Sequence, residues 1–284
     1  MSIEFRPITE VIGAEAIGVD LSRPLDDETF SALHQAWLDH TVLLFRGQDI
    51  SVERQKTFSL RLGTSLDIHI QTDYLLDDHP EVLVLSNLKT DDGKPVGTKD
   101  GGRHWHSDLY WKDIPAKASL LYGRECPPVK GDTLFINMGA VYEALPEETK
   151  RRIDGKKVLI SRVRSWPIDY PHRPPLTEAE KANLPDVVHP LVRTHPETGR
   201  KCLYIGNEAS AWIVGMDDDE GKALIDELMD FARQPRFGYA HKWQAGDALL
   251  WDNRSTMHCA TPYDEINHRR LMYRTTIMDG IHPA

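Results

Sequence analysis

From Ala116 onward the chain alternates short apolar runs with polar turns. The runs Ala118–Tyr122, Thr133–Met138, Val158–Val163, Val188–Thr194, Cys202–Ile205, Ala248–Trp251 and Leu271–Met278 each have the length of a strand. Turn residues separate them, as at Pro127-Pro128, Pro196-Glu197-Thr198-Gly199 and Ala245-Gly246-Asp247. Many short strands with polar turns predict a sandwich or jelly roll, mainly β with flanking helices. Two helices are expected to interrupt the series. One covers Ala140 to Ile153; the other follows Asp217, where Asp217 and Glu220 form a capping box ahead of Leu224, Ile225, Leu228 and Met229. The first part of the chain is patterned differently. Val11 to Leu21 alternates between glycines and reads as strands. Asp26-Asp27-Glu28 opens a helix through Phe30, Leu33 and Trp37, Thr41–Phe45 is a buried strand, and Ser51 to Leu62 is a second helix. Ser165 to Pro185, punctuated by Pro167, Pro171, Pro174 and Pro175, reads as a long loop that covers the functional site. No repeat, low-complexity tract or Gly/Ser-rich linker divides the chain, so residues 1–284 are expected to form one domain.

Composition narrows the function. A hydrophobic content of 40% with seven tryptophans supplies a sizeable core. The net charge of −10 speaks against nucleic acid or an anionic membrane as partner. A small anionic substrate stays open, because a local arginine cluster dominates the field inside a pocket. No apolar run approaches the about 18–20 residues of a membrane span. The start, Met1-Ser2-Ile3-Glu4-Phe5-Arg6, lacks a basic segment followed by an apolar one, so a cytoplasmic protein is expected. Cys126, Cys202 and Cys259 are scattered and odd in number, which fits reduced thiols. A homo-oligomer is the expected assembly.

The chemistry starts at His106-Ser107-Asp108, which gains meaning from His258, 152 residues downstream (258 − 106 = 152). Residues two apart share one face of a strand. Two imidazoles and one carboxylate hold a divalent metal on one side and leave the other open. Open positions on Fe(II) are what an oxygen-activating enzyme needs. His104 shares the same face, so on spacing alone a His-x-His pair with His106 competes with His106 and Asp108.

The chain resembles the Fe(II)/2-oxoglutarate-dependent dioxygenases of the taurine dioxygenase and 2,4-dichlorophenoxyacetate dioxygenase family. The likeness runs from Val11–Leu21 to Arg274–Ile277. It is firmest at Trp105-His106-Ser107-Asp108, Gly131-Asp132-Thr133, Leu191-Val192-Arg193-Thr194-His195-Pro196 and Trp251-Asp252-Asn253-Arg254. The resemblance implies a double-stranded β-helix core with His106, Asp108 and His258 as the iron ligands, and so decides against His104. It assigns 2-oxoglutarate to Thr133 and Arg270, whose guanidinium grips the remote carboxylate with two parallel hydrogen bonds. One extra residue between Tyr263 and Arg270 leaves Arg269 as a rival. Arg274, the second arginine of the pair, is implied to contact an anionic group of the substrate, with His69 and the aromatic residues Tyr110 and Trp111 beside it. Leu109-Tyr110-Trp111 and Ser210 depart from the family's commoner pocket residues, which implies a substrate other than taurine. The expected reaction is oxidative decarboxylation of 2-oxoglutarate by O2 to succinate and CO2, coupled to hydroxylation of a small acidic organic substrate: a carboxylate, sulfonate or sulfate ester, aromatic or aliphatic. The competing readings are a jelly-roll enzyme using another metal without 2-oxoglutarate, and a non-catalytic sensor of the same fold.

Overall fold

The computed structural model describes residues 3–99 and 101–284. Its first half comprises β1 (Glu4–Pro7), β2 (Ala14–Ile17), α1 (Asp27–His40), β3 (Val42–Phe45), α2 (Val52–Leu60), β4 (Ser65–Leu66), β5 (Leu75–Leu76), β6 (His79–Ser86) and β7 (Ala118–Glu125). Then come β8 (Thr133–Asn137), α3 (Met138–Ala144), α4 (Glu147–Ile153), β9 (Lys157–Ile160), α5 (Arg162–Asp169) and α6 (Glu178–Ala182). The chain continues through β10 (Val187–Pro190), β11 (Val192–Thr194), β12 (Lys201–Leu203), β13 (Ala211–Ile213) and α7 (Asp218–Ala232). It closes with β14 (Gly238–His241), β15 (Ala248–Asp252), β16 (Thr256–Ala260) and β17 (Leu271–Met278).

The large sheet has the order β1-β2-β3-β15-β7-β17-β6-β5, with β4 added on β17. A smaller antiparallel sheet, β14-β8-β16, faces it. The central strands read as unbroken apolar runs because both of their faces are covered. In β3 the alternation sends Leu43 and Phe45 to one side, where Leu33, Trp37, Phe58 and Leu62 from the α1 and α2 region meet them. Val42 and Leu44 turn to the other side. There they join Leu121, Leu249, Trp251 and Met272 of the large sheet and Phe135 of the small one. This shared core makes the two sheets a double-stranded β-helix. A third apolar cluster binds α3 and α7 to β9 and β13 through Val141, Val158, Ile213, Leu224 and Leu228. Among the described residues no helix is long and apolar enough to cross a membrane.

Several expected elements are redrawn. The helix over Ala140–Ile153 is two helices, because Pro146 disfavours helical geometry at Leu145 (ψ 143°) and itself starts α4. Val158–Val163 stays extended only to Ile160; the Ser161 side chain accepts from Arg164 N and opens α5. Val188–Thr194 is divided at Leu191 into β10 and β11. Asp217 caps α7 through Asp219 N, while the reciprocal capping box belongs to Thr177 and Glu180. The stretch Ser165–Pro185 is not a plain loop, since it contains most of α5 and all of α6.

Candidate active site

β15 and β16 are joined by the tight turn Asp252–Thr256, and that turn decides where His258 sits. Asp252 Oδ1 accepts from Arg254 N and Nε, both at 2.9 Å, and Asp252 Oδ2 accepts from Arg254 Nη2 at 2.6 Å. Asp252 Oδ2 also meets His195 Nε2 at 2.9 Å, while Arg193 donates to the carbonyls of Arg254 and Asn253 at 2.8 and 2.9 Å. The motif around Arg193-Thr194-His195 and the motif around Asp252-Asn253-Arg254 are therefore two halves of one buried clamp. It satisfies the backbone of a turn that would otherwise bury unpaired polar groups.

His106 and Asp108 do not lie on a regular strand, contrary to the face-sharing expectation. His106 is held by isolated bridges to Asn207 and His258. Its N–H donates to the His258 carbonyl at 3.0 Å, and His258 N–H returns the bond at 2.8 Å. The chain then turns sharply, with Leu109 at φ 52°, which swings the Asp108 carboxylate back toward both rings. His106, Asp108 and His258 each offer one ligand atom, all within 4.8 Å of one another, and all three residues are buried. Nε2 of His106 is 3.9 Å from Asp108 Oδ1, and Nε2 of His258 is 3.8 Å from Oδ2. His106 Nδ1 donates to the His104 carbonyl at 2.8 Å, which leaves Nε2 for a metal. His104 thus contributes a backbone oxygen to the ring's orientation, and its side chain is outside the His-Asp-His cluster.

A polar chain fixes the carboxylate. Ser119 Oγ donates to Asp108 Oδ2 at 2.6 Å and accepts from Asn253 Nδ2 at 3.0 Å. Asn253 Oδ1 accepts from Asp108 N and from Trp251 Nε1, both at 3.0 Å. Burial opposes ionisation of Asp108, but the Arg274 guanidinium, the two imidazoles and the Ser119 hydroxyl outweigh it and hold the carboxyl well below the usual range. Burial and the neighbouring His106 keep His258 neutral. Two imidazoles, His258 held neutral, and an ionised carboxylate form the donor set that a divalent 3d metal takes.

The triad opens into a cavity of about 180 Å³. Four arginines line it (Arg103, Arg162, Arg270 and Arg274), against Asp108 as the single carboxylate among the described lining residues. In a chain of net charge −10 this is a concentrated patch of opposite sign. Thr133 lies in the wall on β8, where its Oγ1 accepts from Trp243 Nε1 at 2.9 Å. Arg270 is pinned through its backbone: its N–H donates to Asn87 Oδ1 at 2.9 Å and its carbonyl accepts from Ser86 Oγ at 2.8 Å. Its Nε has no hydrogen-bond partner, and burial lowers the guanidinium's pKa. The rival Arg269 points outward, where it forms a fork with Glu125 at 2.6 and 3.1 Å.

Arg274 reaches the cavity, but its counter-ion differs from the expected one. Nη1 donates to Asp108 Oδ1 at 2.6 Å, a carboxylate of the chain rather than an anion of the substrate. The need of Arg274 for an anion is thus met inside the chain. His69 lines the same cavity, edge-on to Trp111 at 5.9 Å. Its Nδ1 accepts from Gln71 N at 3.1 Å, so its proton resides on Nε2. Burial, with the Arg274 and Arg162 charges adding, pushes its pKa down to about 3. Tyr110 stands edge-on to His106 at 6.4 Å and to Trp111 at 5.0 Å. Ser210 is buried outside the lining, where its carbonyl accepts from Ser161 N at 3.1 Å; Asn207 takes the place in the wall. Sequence reasoning missed Ser119, Asn253 in its supporting role, and Arg162. No spacing rule singles out a serine on a distant strand or an arginine at the start of a helix.

Two histidines and one aspartate beneath a cationic cavity, in a double-stranded β-helix, define a non-haem oxygenase site. A family model described as "Taurine catabolism dioxygenase TauD, TfdA family" matches residues 4–276. The alpha-ketoglutarate-dependent 2,4-dichlorophenoxyacetate dioxygenase of Cupriavidus pinatubonensis is 32% identical over 293 residues, spanning 99% of this chain and 100% of that protein. An alkylsulfatase of Acinetobacter baylyi is 30% identical over 289 residues, spanning 97% of this chain and 84% of that protein. The solved structure of AAD-2 in complex with Mn(II) and N-oxalylglycine is similar at a TM-score of 0.86 and 34% identity, covering 100% of this chain and 99% of that one. The chain belongs to the TauD, TfdA family and is a 2-oxoglutarate (alpha-ketoglutarate)-dependent dioxygenase.

Proposed function

We propose that this enzyme hydroxylates a small acidic organic substrate, a carboxylate, sulfonate or sulfate ester with an aromatic or aliphatic body, and forms succinate and CO2 from 2-oxoglutarate. The observation that carries this reading is the cavity's charge: four arginines against one carboxylate directly above the His106, Asp108 and His258 donor set. Glu265 and Asp108 compensate Arg103 and Arg274, and 2-oxoglutarate brings a carboxylate for Arg270, so a neutral or cationic substrate would leave the buried Arg162 without an anion among the described residues. The relatives support the acidic class, being named for 2,4-dichlorophenoxyacetate and for alkyl sulfates.

His106, Asp108 and His258 would hold Fe(II), which supplies the oxygen activation that couples decarboxylation of 2-oxoglutarate to oxidation of a C–H bond. The residues of the chain bind and orient. Arg270, with no carboxylate partner among the described residues, pairs with the remote carboxylate of 2-oxoglutarate, and the Thr133 hydroxyl lies in the same wall. Ser119 and Arg274 hold the Asp108 carboxylate ionised and aimed. His69, Tyr110 and Arg274 form the substrate side of the cavity, and the aromatic walls exclude water from it.

The test is succinate formation from 2-oxoglutarate by the Fe(II)-loaded enzyme with a panel of phenoxy acids, sulfonates, alkyl sulfates and N-acyl amino acids. At least one acid should accelerate succinate release and appear as a hydroxylated or cleaved product in equal amount. Acceleration by neutral or cationic compounds alone would overturn the acidic class.

A further inference from the structure

Arg162 is the buried arginine of the cavity whose charge the reaction described above does not use; Arg103, also unused, is exposed. It opens α5, directly after the capping residue Ser161, and is 7% exposed. Its guanidinium carbon lies 4.3 Å from the centre of the Trp111 ring, a cation–π stack. Beyond that stack no carboxylate pairs with it among the described residues. The other cavity arginines differ. Arg103 pairs with Glu265 at 2.8 Å, and Arg274 pairs with Asp108 at 2.6 Å. Arg270 is unpaired as well, but 2-oxoglutarate brings the carboxylate it needs.

A guanidinium buried without a counter-ion is costly, and aromatic stacking offsets that cost only in part. Two unpaired cations in one cavity call for two anionic groups. The remote carboxylate of 2-oxoglutarate is one, and the other has to arrive with the substrate. His69 lies close enough to feel the Arg162 charge, and it presents its Nε2–H as a donor. Trp111, stacked under Arg162, stands edge-on to both His69 and Tyr110, and Tyr110 stands edge-on to the metal-site His106. The cation is therefore linked to the His106 ring through two aromatic side chains in contact, whereas Arg274 touches the Asp108 carboxylate itself.

We propose that Arg162, with His69 Nε2–H beside it, is the receptor for the substrate's anionic group. The substrate is then an acid with its anion at the Trp111 side of the cavity and its carbon body running along Tyr110 toward the metal site. This rests on the dioxygenase reading given above, and it moves substrate recognition from Arg274 to Arg162. The flat walls suit an aryl or extended alkyl body, and the forked guanidinium suits a carboxylate or a sulfonate.

The experiment is calorimetric titration of the Mn(II)- and 2-oxoglutarate-loaded protein, which binds without turnover, with phenoxyacetate and phenylmethanesulfonate and with their neutral amides. Wild-type protein should bind an acid more tightly than its amide. Arg162→Met, which keeps the packing on Trp111, should lose about 10- to 100-fold in affinity for that acid and leave the amide unchanged. Arg162→Lys should recover part of the loss. If the methionine variant does not fold, Arg162→Gln is read in the same way. Equal loss for acid and amide, with a lowered melting temperature, would show a purely structural role and overturn the proposal. So would an Arg162→Met protein that keeps its preference for the acid, or a wild-type protein that prefers neither acid to its amide. Titration of 2-oxoglutarate into Mn(II)-loaded wild-type protein separates the two readings. No binding there overturns the dioxygenase reading and this one together; binding there with acid preference intact in Arg162→Met overturns only the role of Arg162.

Discussion

Arg274 Nη1 donates to Asp108 Oδ1 at 2.6 Å, joining a strand near the C-terminus to a turn 166 residues earlier. The contact gives the carboxylate of the His-Asp-His cluster a cationic neighbour, and Ser119 donates to its other oxygen at 2.6 Å. Both oxygens of Asp108 are thus oriented before any metal arrives, which lowers the cost of assembling the site.

Ser119→Ala should weaken metal binding while leaving the fold in place. The change removes a donor to Asp108 and strands Asn253 Nδ2, which has its bond to Ser119 Oγ at 3.0 Å. Mn(II) affinity should fall by about 10- to 100-fold. Stability should drop by about 1–3 kcal/mol, the cost of a buried unsatisfied amide. Calorimetric metal titration and a thermal melt read the two effects, and wild-type metal affinity in the variant would show that the serine is dispensable.

His106→Ala should abolish metal binding, and His104→Ala should keep it. His106 offers a ring nitrogen to the cluster, whereas the contact of His104 with the His106 ring is made by its backbone carbonyl, which survives truncation. Metal content after dialysis against Fe(II) or Mn(II), with circular dichroism to verify folding, distinguishes the two. The reverse order of effects would assign the ligand to His104.

Arg270→Ala should raise the Kd for 2-oxoglutarate by about 30- to several-thousand-fold, from the roughly 2–5 kcal/mol of a broken charge-assisted pair. Arg269→Ala breaks an exposed pair with Glu125 and should cost about 0–1 kcal/mol of stability with no change in that Kd. Titration of 2-oxoglutarate into the Mn(II)-loaded variants decides between them, and a larger effect from Arg269 would transfer the role.

The buried clamp behind the site predicts an acid-sensitive fold. At Asp252 burial favours the neutral form, but Arg254 and His195 outweigh it and hold the carboxyl far below its usual range. Glu197 is lowered through His34, Lys117 and Arg254. A carboxylate whose folded pKa is depressed binds fewer protons when folded than when unfolded. Its stabilisation is therefore complete above the unfolded pKa of about 4 and is lost as pH falls toward the folded value. Denaturant unfolding from pH 6 downward should show stability falling below about pH 5, with a shallower slope in Glu197→Gln. Arg254→Met, which leaves Asp252 partly uncompensated, should cost about 3–5 kcal/mol at neutral pH. A flat profile, or an unaltered slope in Glu197→Gln, would show that the clamp contributes no pH dependence.

Local pattern determined much of this protein without any tertiary information. The runs at Val42–Phe45, Ala118–Tyr122, Ala248–Trp251 and Leu271–Met278 all lie in strands, because strands covered on both faces are mainly apolar; Thr41 stays outside β3 as the C-cap of α1. Asp26 before an acidic first turn starts α1 as expected, since an N-cap acts within one turn. His106, Asp108 and His258 are picked out through the resemblance to the family, since on spacing alone His104 competes, and the structure brings the three together in one cluster. What the pattern misjudged was how they meet. His106 and Asp108 share no strand face; a bridge to His258 and a left-handed Leu109 bring them together. Only the tertiary structure decided which charges end up paired. Arg269 and Arg270 are adjacent in sequence, yet one meets Glu125 at the surface and the other faces the cavity with no carboxylate partner among the described residues. Arg274 is satisfied by Asp108, and among the described residues Arg162 has no carboxylate partner. Coulomb energy depends on distance in space and on the depth of burial, and neither is written in the spacing of residues along a chain.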